Sequence, residues 1–422
     1  MRAWLLLLLL PLCAVARAQD SGSKRAGGPP AAARVPARKF IDTKRWTCLV
    51  DARGSVHCTM RTYEDFWPSP TIPTTSSSFE RVSGLSEVTA LEGTGDYVCA
   101  LDKSGEVHCW GCLHSLCRLW PKRIGLSRTA RQIVVDNVGA CALLESGGVQ
   151  CWGSGASGQL GRGRAEALVT EQPVAASLAR KALQISATTD ARCALLEGGR
   201  LMCWGAVCGA DDPSGLKPRY MSELEQVSAI AANESFTCAV AGAQREVYCW
   251  GHPDAGQTSA QAAASSQAGR CEITKVRKLH HVKQLALGYL SGAALTDDGA
   301  LYYWGNSHYG GARQLADKVA PQTRVEFDRD FRPVTSPAQH ARAAKRFDQE
   351  PDRVASNLPI RNFMLSGNYV CLELDNSEVR CEWTLAKTPF HIEEVWPDVR
   401  FDTGTGKSPR APHRKTKAGT PQ

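Results

Sequence analysis

The chain lacks the long apolar runs of a helical membrane protein. No segment offers the roughly 18 uninterrupted apolar residues that cross a bilayer as a helix. It also lacks the short signatures of common catalytic chemistry. No G-x-S-x-G elbow, H-E-x-x-H pair, complete P-loop or Asp-x-Asp-x-Asp calcium loop occurs in its 422 residues. A positive surplus on the body of the chain is missing too. The formal charge is +8, but residues 1–40 and 403–422 hold twelve of the fifty Lys/Arg and one of the forty-two acids, which leaves −3 for residues 41–402. A nucleic-acid surface needs its cations on the folded part or on arms that reach the duplex. Nucleic acid is therefore not the expected partner.

What is present begins with a leader. Arg2, the short apolar run Ala3–Val15 and Ala16-Arg17-Ala18 have the layout of a secretory signal peptide. This predicts residues 1–18 as a removed signal, a mature chain from Gln19, and export to the periplasm, cell surface or medium. A lipid anchor through Cys13 would place Leu12 where such sites want a small residue. Seventeen cysteines become sixteen once Cys13 leaves with the leader. A high, even count in an exported chain reads as disulfides.

One motif recurs along the chain. It reads CLVDARGSVHC from Cys48, CALDKSGEVHCWG from Cys99, CALLESGGVQCWG from Cys141, CALLEGGRLMCWG from Cys193 and CAVAGAQREVYCWG from Cys238. A copy without cysteine, AALTDDGALYYWG, starts at Ala293, and CLELDNSEVRCEW starts at Cys371. Two apolar or alternating runs flank a turn of Gly, Asp, Ser or Asn, which is β-hairpin chemistry. Strand-like runs such as Gln132–Val135 and Leu183–Ala187 precede most copies. Each unit thus has three or four short strands in about 50 residues, the size of a propeller blade. Cys141–Leu144 and Cys193–Leu196 are apolar at every position, as strands covered on both faces are.

The cysteine spacing follows from the hairpin. Residues ten apart around a tight turn stand opposite each other, at about 4.5–5.5 Å between Cα atoms, within reach of a disulfide. The copy at Ala293 has lost both cysteines together, to Ala293 and Tyr303, as bridged partners would. Six bridges are expected: Cys48–Cys58, Cys99–Cys109, Cys141–Cys151, Cys193–Cys203, Cys238–Cys249 and Cys371–Cys381. Each contributes up to about 3 kcal/mol in the loop-entropy account. Cys112, Cys117, Cys208 and Cys271 stand outside this scheme. The within-loop pairs Cys112–Cys117 and Cys208–Cys271 are favoured among three connectivities.

The pattern Cys-Ala-Leu…Gly…Val…Cys-Trp-Gly…Gly-Gln-Leu-Gly resembles the repeats of the regulator of chromosome condensation family. The third copy, with Trp152-Gly153 through Gly158-Gln159-Leu160-Gly161, carries it most fully, and the likeness covers about residues 40–390. The resemblance implies an all-β, seven-bladed β-propeller. Its paired cysteines look like the exported bacterial branch of that superfamily, which includes a secreted β-lactamase inhibitor. Nuclear members exchange guanine nucleotide on a small GTPase and bind chromatin, partners that an exported chain does not meet. The first and last copies depart from the pattern at Cys58-Thr-Met60 and Trp383, as terminal units do. Phe40-Ile41 and Val395-Trp396 are the candidates for closing the ring.

Several features suggest chemistry and are weighed against plainer roles. Gly153-Ser-Gly155-Ala-Ser-Gly158 has the spacing of a dinucleotide loop, but no helix follows it, so turn glycines are expected. Trp110, Trp152, Trp204, Trp250 and Trp304 would form an aromatic platform for sugars or pack between blades; recurrence at one position favours packing. Asp102, Glu145, Glu197, Asp297 and Asp298 sit at hairpin tips, where acids are ordinary turn residues. His280-His281 lacks metal-ligand spacing, and Asn233-Glu-Ser235 is a sequon only in a glycosylating host. Residues 312–357 interrupt the repeat, and an insertion of this kind maps to one face of a propeller. Residues 19–39 and 403–422 are basic, Pro/Gly/Ala-rich tails. The expectation is a monomeric, exported interaction propeller that binds another envelope or extracellular protein. It has no catalytic, cofactor or metal residues, no nucleic acid and no membrane span. The alternatives are a glycan-binding propeller, a hydrolase or lyase hosted in the channel, and, behind these, a guanine-nucleotide exchange factor.

Overall fold

The computed structural model describes residues 40–43, 45–51, 53–60, 79–207, 213–251, 273–288, 291–305, 352–355, 359–366, 369–375, 379–383 and 390–391. Among these, seven four-stranded antiparallel sheets follow one another, each a simple meander. The first holds β1 (Phe40–Asp42), β2 (Trp46–Val50), β3 (Val56–Met60) and β4 (Glu80–Arg81). The second holds β5 (Val88–Thr94), β6 (Tyr97–Asp102), β7 (Val107–Leu113) and β8 (Leu116–Arg123). The third holds β9 (Ala130–Asp136), β10 (Gly139–Leu144), β11 (Val149–Gly155) and β12 (Glu166–Ala175). The fourth holds β13 (Ala182–Ala187), β14 (Ala191–Leu196), β15 (Arg200–Gly205) and β16 (Arg219–Tyr220). The fifth holds β17 (Ala229–Ala232), β18 (Phe236–Ala241), β19 (Glu246–Gly251) and β20 (Thr274–Lys275). The sixth holds β21 (Val282–Gly288), β22 (Ser291–Thr296), β23 (Leu301–Gly305) and β24 (Asp352–Ala355). The seventh holds β25 (Ile360–Ser366), β26 (Tyr369–Leu374), β27 (Val379–Trp383) and β28 (Phe390–His391).

The first strand of each sheet meets the first strand of the next, and β1 meets β25. The circuit therefore closes side by side, as in a propeller. β1 stays in its own sheet, so Phe40-Ile41 closes the ring as an inner strand and not by joining the last sheet. Val395-Trp396 lies outside the described residues. β24 corrects one boundary. It falls inside the stretch 312–357 expected to be an insertion, yet it is the outer strand of the sixth sheet, with Arg353 opposite Tyr302.

The core is divided among the gaps between blades. Each of six apolar clusters draws on two successive sheets. The Cys-Trp dipeptide shows why. Neighbouring strand residues point to opposite faces. Cys151 faces the fourth sheet, among Ala182, Ile185 and Ala194, while Trp152 faces the second, among Tyr97, Cys99 and Leu101. Trp204 and Trp250 likewise turn back onto the preceding sheet. β10, apolar throughout, and β14, apolar but for Arg192, are buried at all six positions.

Polar side chains stitch the inner strands. Gln132 Nε2 donates to the Ile185 carbonyl at 2.9 Å, and its Oε1 accepts from the Ile185 N–H at 3.0 Å. Gln184 does the same to Ile230, at 2.5 and 3.1 Å. Gln284 donates to the Phe363 carbonyl at 2.6 Å. All three glutamines occupy one ladder position, opposite Leu143, Leu195 and Leu295 respectively.

Candidate interaction surface

The residues singled out in the sequence fall mainly into the scaffold. Cys48–Cys58, Cys99–Cys109, Cys141–Cys151, Cys193–Cys203 and Cys238–Cys249 are disulfides across the second and third strands, with Cα separations of 4.0–4.2 Å. In the sixth sheet Ala293 stands opposite Tyr303 at the same position. Cys371 stands opposite Cys381 in the ladder, but their side chains are outside the described ones. Cys208 and Cys271 are outside the described residues altogether. Cys112–Cys117 is a bridge at the tip of the β7–β8 hairpin. Cys109-Trp-Gly-Cys112 also has C-x-x-C spacing, a feature that alignment of the repeats passes over. The fold separates the two sulfurs into different bridges, Cys109 to Cys99 and Cys112 to Cys117.

The glycine loop is a packing device. Gly153 has φ +109°, and a Cβ there would lie 2.4 Å from Gly139 Cα, so only glycine lets the two strands approach. Beyond it, Leu160 and Gln159 are buried, and the Gln159 carbonyl accepts from Trp204 Nε1 at 2.8 Å. The Gly-Gln-Leu-Gly signature thus receives the tryptophan of the next blade. Trp110, Trp152, Trp204, Trp250 and Trp304 are all buried, which removes them as a sugar platform. Trp152 Nε1 donates to the Tyr97 hydroxyl at 3.1 Å, and burial pushes that phenol up to about 12.

The expected turn acids behave as turn residues. Asp102 Oδ1 accepts from the Glu106 N–H at 2.9 Å, and Asp297 pairs with Arg245. His280 Nδ1 lies 3.1 Å from Glu246. Asn233 of the sequon accepts from the Ser235 and Phe236 N–H groups and donates to the Gly288 carbonyl. Among the described residues no group of three or more His, Cys, Asp or Glu could hold a metal.

Turns between the first and second strands of several sheets touch one another. Thr94 donates to Glu234, linking the second and fifth sheets, and Arg45 lies 3.7 Å from Asp96. Asp136 and Arg192 form an ion pair at 2.5 Å, each 2% exposed. Burial pushes the Asp136 carboxyl up to about 6, with Arg192 and the Val138 N–H opposing the shift. Its Oδ1 accepts from Val138 N at 2.9 Å and its Oδ2 faces Arg192. The contact of Oδ2 with Arg192 is ionic, without a hydrogen bond, and it joins the third and fourth sheets.

The exposed apolar groups lie elsewhere. Leu116, Leu119 and Trp120 on β8 are 38%, 64% and 71% exposed, and Leu168 on β12 is 83% exposed. Both strands are the outer edges of adjacent blades. Arg118 grips Glu171 with two nitrogens, at 2.7–3.1 Å, and Lys122 reaches the same carboxylate at 2.9 Å. These cations hold Glu171 below the usual carboxylate range. Nothing in the sequence's apolar periodicity marks this patch, because β8 is exposed on both faces.

Fold and rim together define a class, the disulfide-stapled β-propeller with a partly apolar outer surface. No family profile matches the chain. Solved structures share its architecture. Yeast RCC1 (Prp20), determined in complex with Kap60, superposes with a TM-score of 0.55 at 16% identity, over 93% of this chain and 92% of its own. Prp20p from Saccharomyces cerevisiae, described with its binding to Gsp1p and histones, gives 0.54 at 17%, over 78% and 80%. Human WBSCR16 gives 0.52 at 17%, over 81% and 90%. The chain therefore has the propeller fold of the regulator of chromosome condensation, and the six disulfides among its described residues suit it to an oxidising environment. Among the described residues no helix is long and apolar enough to cross a membrane.

Proposed function

We propose that this chain is an exported, non-catalytic propeller that works by binding another envelope or extracellular protein. The observation that carries the reading is the concentration of exposed Leu116, Leu119, Trp120 and Leu168 on two adjacent outer strands. Exposed apolar side chains gathered in this way mark interaction sites. Proteins of the same fold support it: Prp20 was determined bound to Kap60 and was described with Gsp1p and histones as partners. The recurrent tryptophans, glycines and paired cysteines serve the scaffold, which leaves the rim as the place for recognition.

The test is capture from envelope and medium proteins by the purified oxidised chain, with and without residues 312–351. A protein retained in stoichiometric amount, and lost when the chain is reduced and unfolded, is the expected result. Retention of glycans alone, or turnover of a substrate, would overturn it.

A further inference from the structure

Trp120 has a structural counterpart that does the same local job without being aromatic. On β8, Lys122 pairs with Cys109 and Arg118 with Gly111, so Leu119-Trp120-Pro121 bulges out against the single residue Trp110. On β12, Val174 pairs with Cys151 and Thr170 with Gly153, so Glu171-Gln172-Pro173 bulges out against Trp152. The two bulges match in length, in position and in their closing proline. The middle residue is exposed in both, and it is Gln172 in one and Trp120 in the other. The bulge therefore has no need of an indole. A tryptophan left 71% exposed where the fold accepts glutamine has no packing role to account for it.

Leu119 shares the bulge, and Leu168 sits in a second bulge of β12 between Glu166 and Thr170. Bulges and prolines on edge strands prevent the addition of another strand. Recognition at this edge must then run through side chains rather than backbone. The ion pairs flanking these residues set the charge. Arg118 and Lys122 converge on Glu171, Arg123 on Glu106, and Arg162 and Arg164 on Glu166, which is five cations against three carboxylates. The Cys112–Cys117 bridge anchors the hairpin that carries them.

We infer that Trp120, with Leu119 and Leu168, is the anchor for an acidic, apolar segment of a second protein, whose carboxylates meet the surplus of Arg and Lys around it. This rests on the interaction reading above and names its surface and partner chemistry. A tryptophan rimmed by arginines is the composition of an interface hot spot. A second copy of the chain fits poorly, since β8 carries three cations and no acid and would meet itself with like charges.

The test uses the full oxidised chain and two synthetic peptides, one with Asp and Glu alternating with Leu and Phe, the other with Lys in place of each acid. The acidic peptide binds and the basic one does not. Trp120→Gln weakens binding by about tenfold or more, while its urea midpoint stays at that of the parent. Should Trp120→Gln fold poorly, Leu168→Glu carries the same prediction through apolar loss and added repulsion. Equal binding by the variants, or preference for the basic peptide, overturns the inference. So does Trp120-dependent binding to phosphatidylglycerol vesicles, or Trp120-dependent self-association in sedimentation. If Trp120→Gln still captures the same exported protein as the parent, the interaction reading stands and this surface is wrong. If neither captures a protein, both fall.

Discussion

Gln132, Gln184 and Gln284 each direct one amide to the inner strand of the next blade. Gln184 is 4% exposed and serves both the N–H and the carbonyl of Ile230. Gln184→Ala leaves two buried backbone groups without their partner, each costing about 1–3 kcal/mol. The expected loss is about 2–4 kcal/mol in urea unfolding, and Gln172→Ala at the surface should shift the midpoint little. Asp136 and Arg192 show a different dependence. The native Asp136 carboxyl at about 6 lies above its ordinary 3.8, so the native state holds the extra proton between these values. The stability this group contributes is fullest below pH 4 and declines as pH rises to about 6. Arg192→Met removes the charge that opposes this shift and leaves a buried carboxylate alone. Its cost should approach about 3–5 kcal/mol at pH 8 and shrink toward pH 5, where the carboxyl takes a proton. Urea unfolding at both values measures the difference, and an equal cost at both would refute the linkage.

The hairpin is the unit at the next scale. The cysteines of the five hairpin bridges are each no more than 6% exposed, whereas Cys117 is exposed at the tip of β7–β8. Thiolate attack requires access. Limited dithiothreitol followed by alkylation and mass mapping should therefore label Cys112 and Cys117 first, with Cys141 and Cys151 protected until the fold opens. Early labelling at Cys141 would contradict the burial. The Trp-Gly glycine belongs to this scale too. Gly111, Gly153, Gly205 and Gly251 all have positive φ, from +86° to +120°, and at each a Cβ would meet the opposing backbone. The dipeptide is thus a strand device, in which tryptophan packs backward and glycine permits the close crossing. β8 and β12 leave little trace in the sequence for the opposite reason. They are exposed and bulged, so neither alternation nor an apolar run announces them.

Across the whole molecule, stability is shared among interfaces between blades. Ile360, Phe363, Leu365, Leu372 and Leu374 of the seventh sheet cover Ala293, Leu295, Leu301 and Tyr303 of the sixth. Ending the chain at residue 358 strips that face and opens the circuit where β25 meets β1. The truncated protein should bind a hydrophobic dye and lose its sharp urea transition, because exposing the sixth sheet's apolar face removes part of a burial that is worth about 25 cal/mol per Å². A truncated chain that unfolds as sharply as the parent would show that the blades stand independently.

Local pattern along the chain was enough for the hairpins, their turns and the five hairpin bridges seen among the described residues. Those facts are local: strand pairing around a tight turn makes ten-residue spacing equivalent to opposition, and the joint loss at Ala293 and Tyr303 marks the pair. It also indicated that both faces of Cys141–Leu144 are covered, since no position there could face water cheaply. Packing between blades settles which face carries the bridge and which receives the neighbour's tryptophan, how Gln184 reaches Ile230, and that Asp136 meets Arg192. The tertiary structure alone assigns residues 352–355 to a blade and leaves Trp120 outside every core. These features join segments 46 to 56 residues apart or depend on what fails to be covered. No local pattern of propensity records that, because it is settled by the packing of one blade against the next.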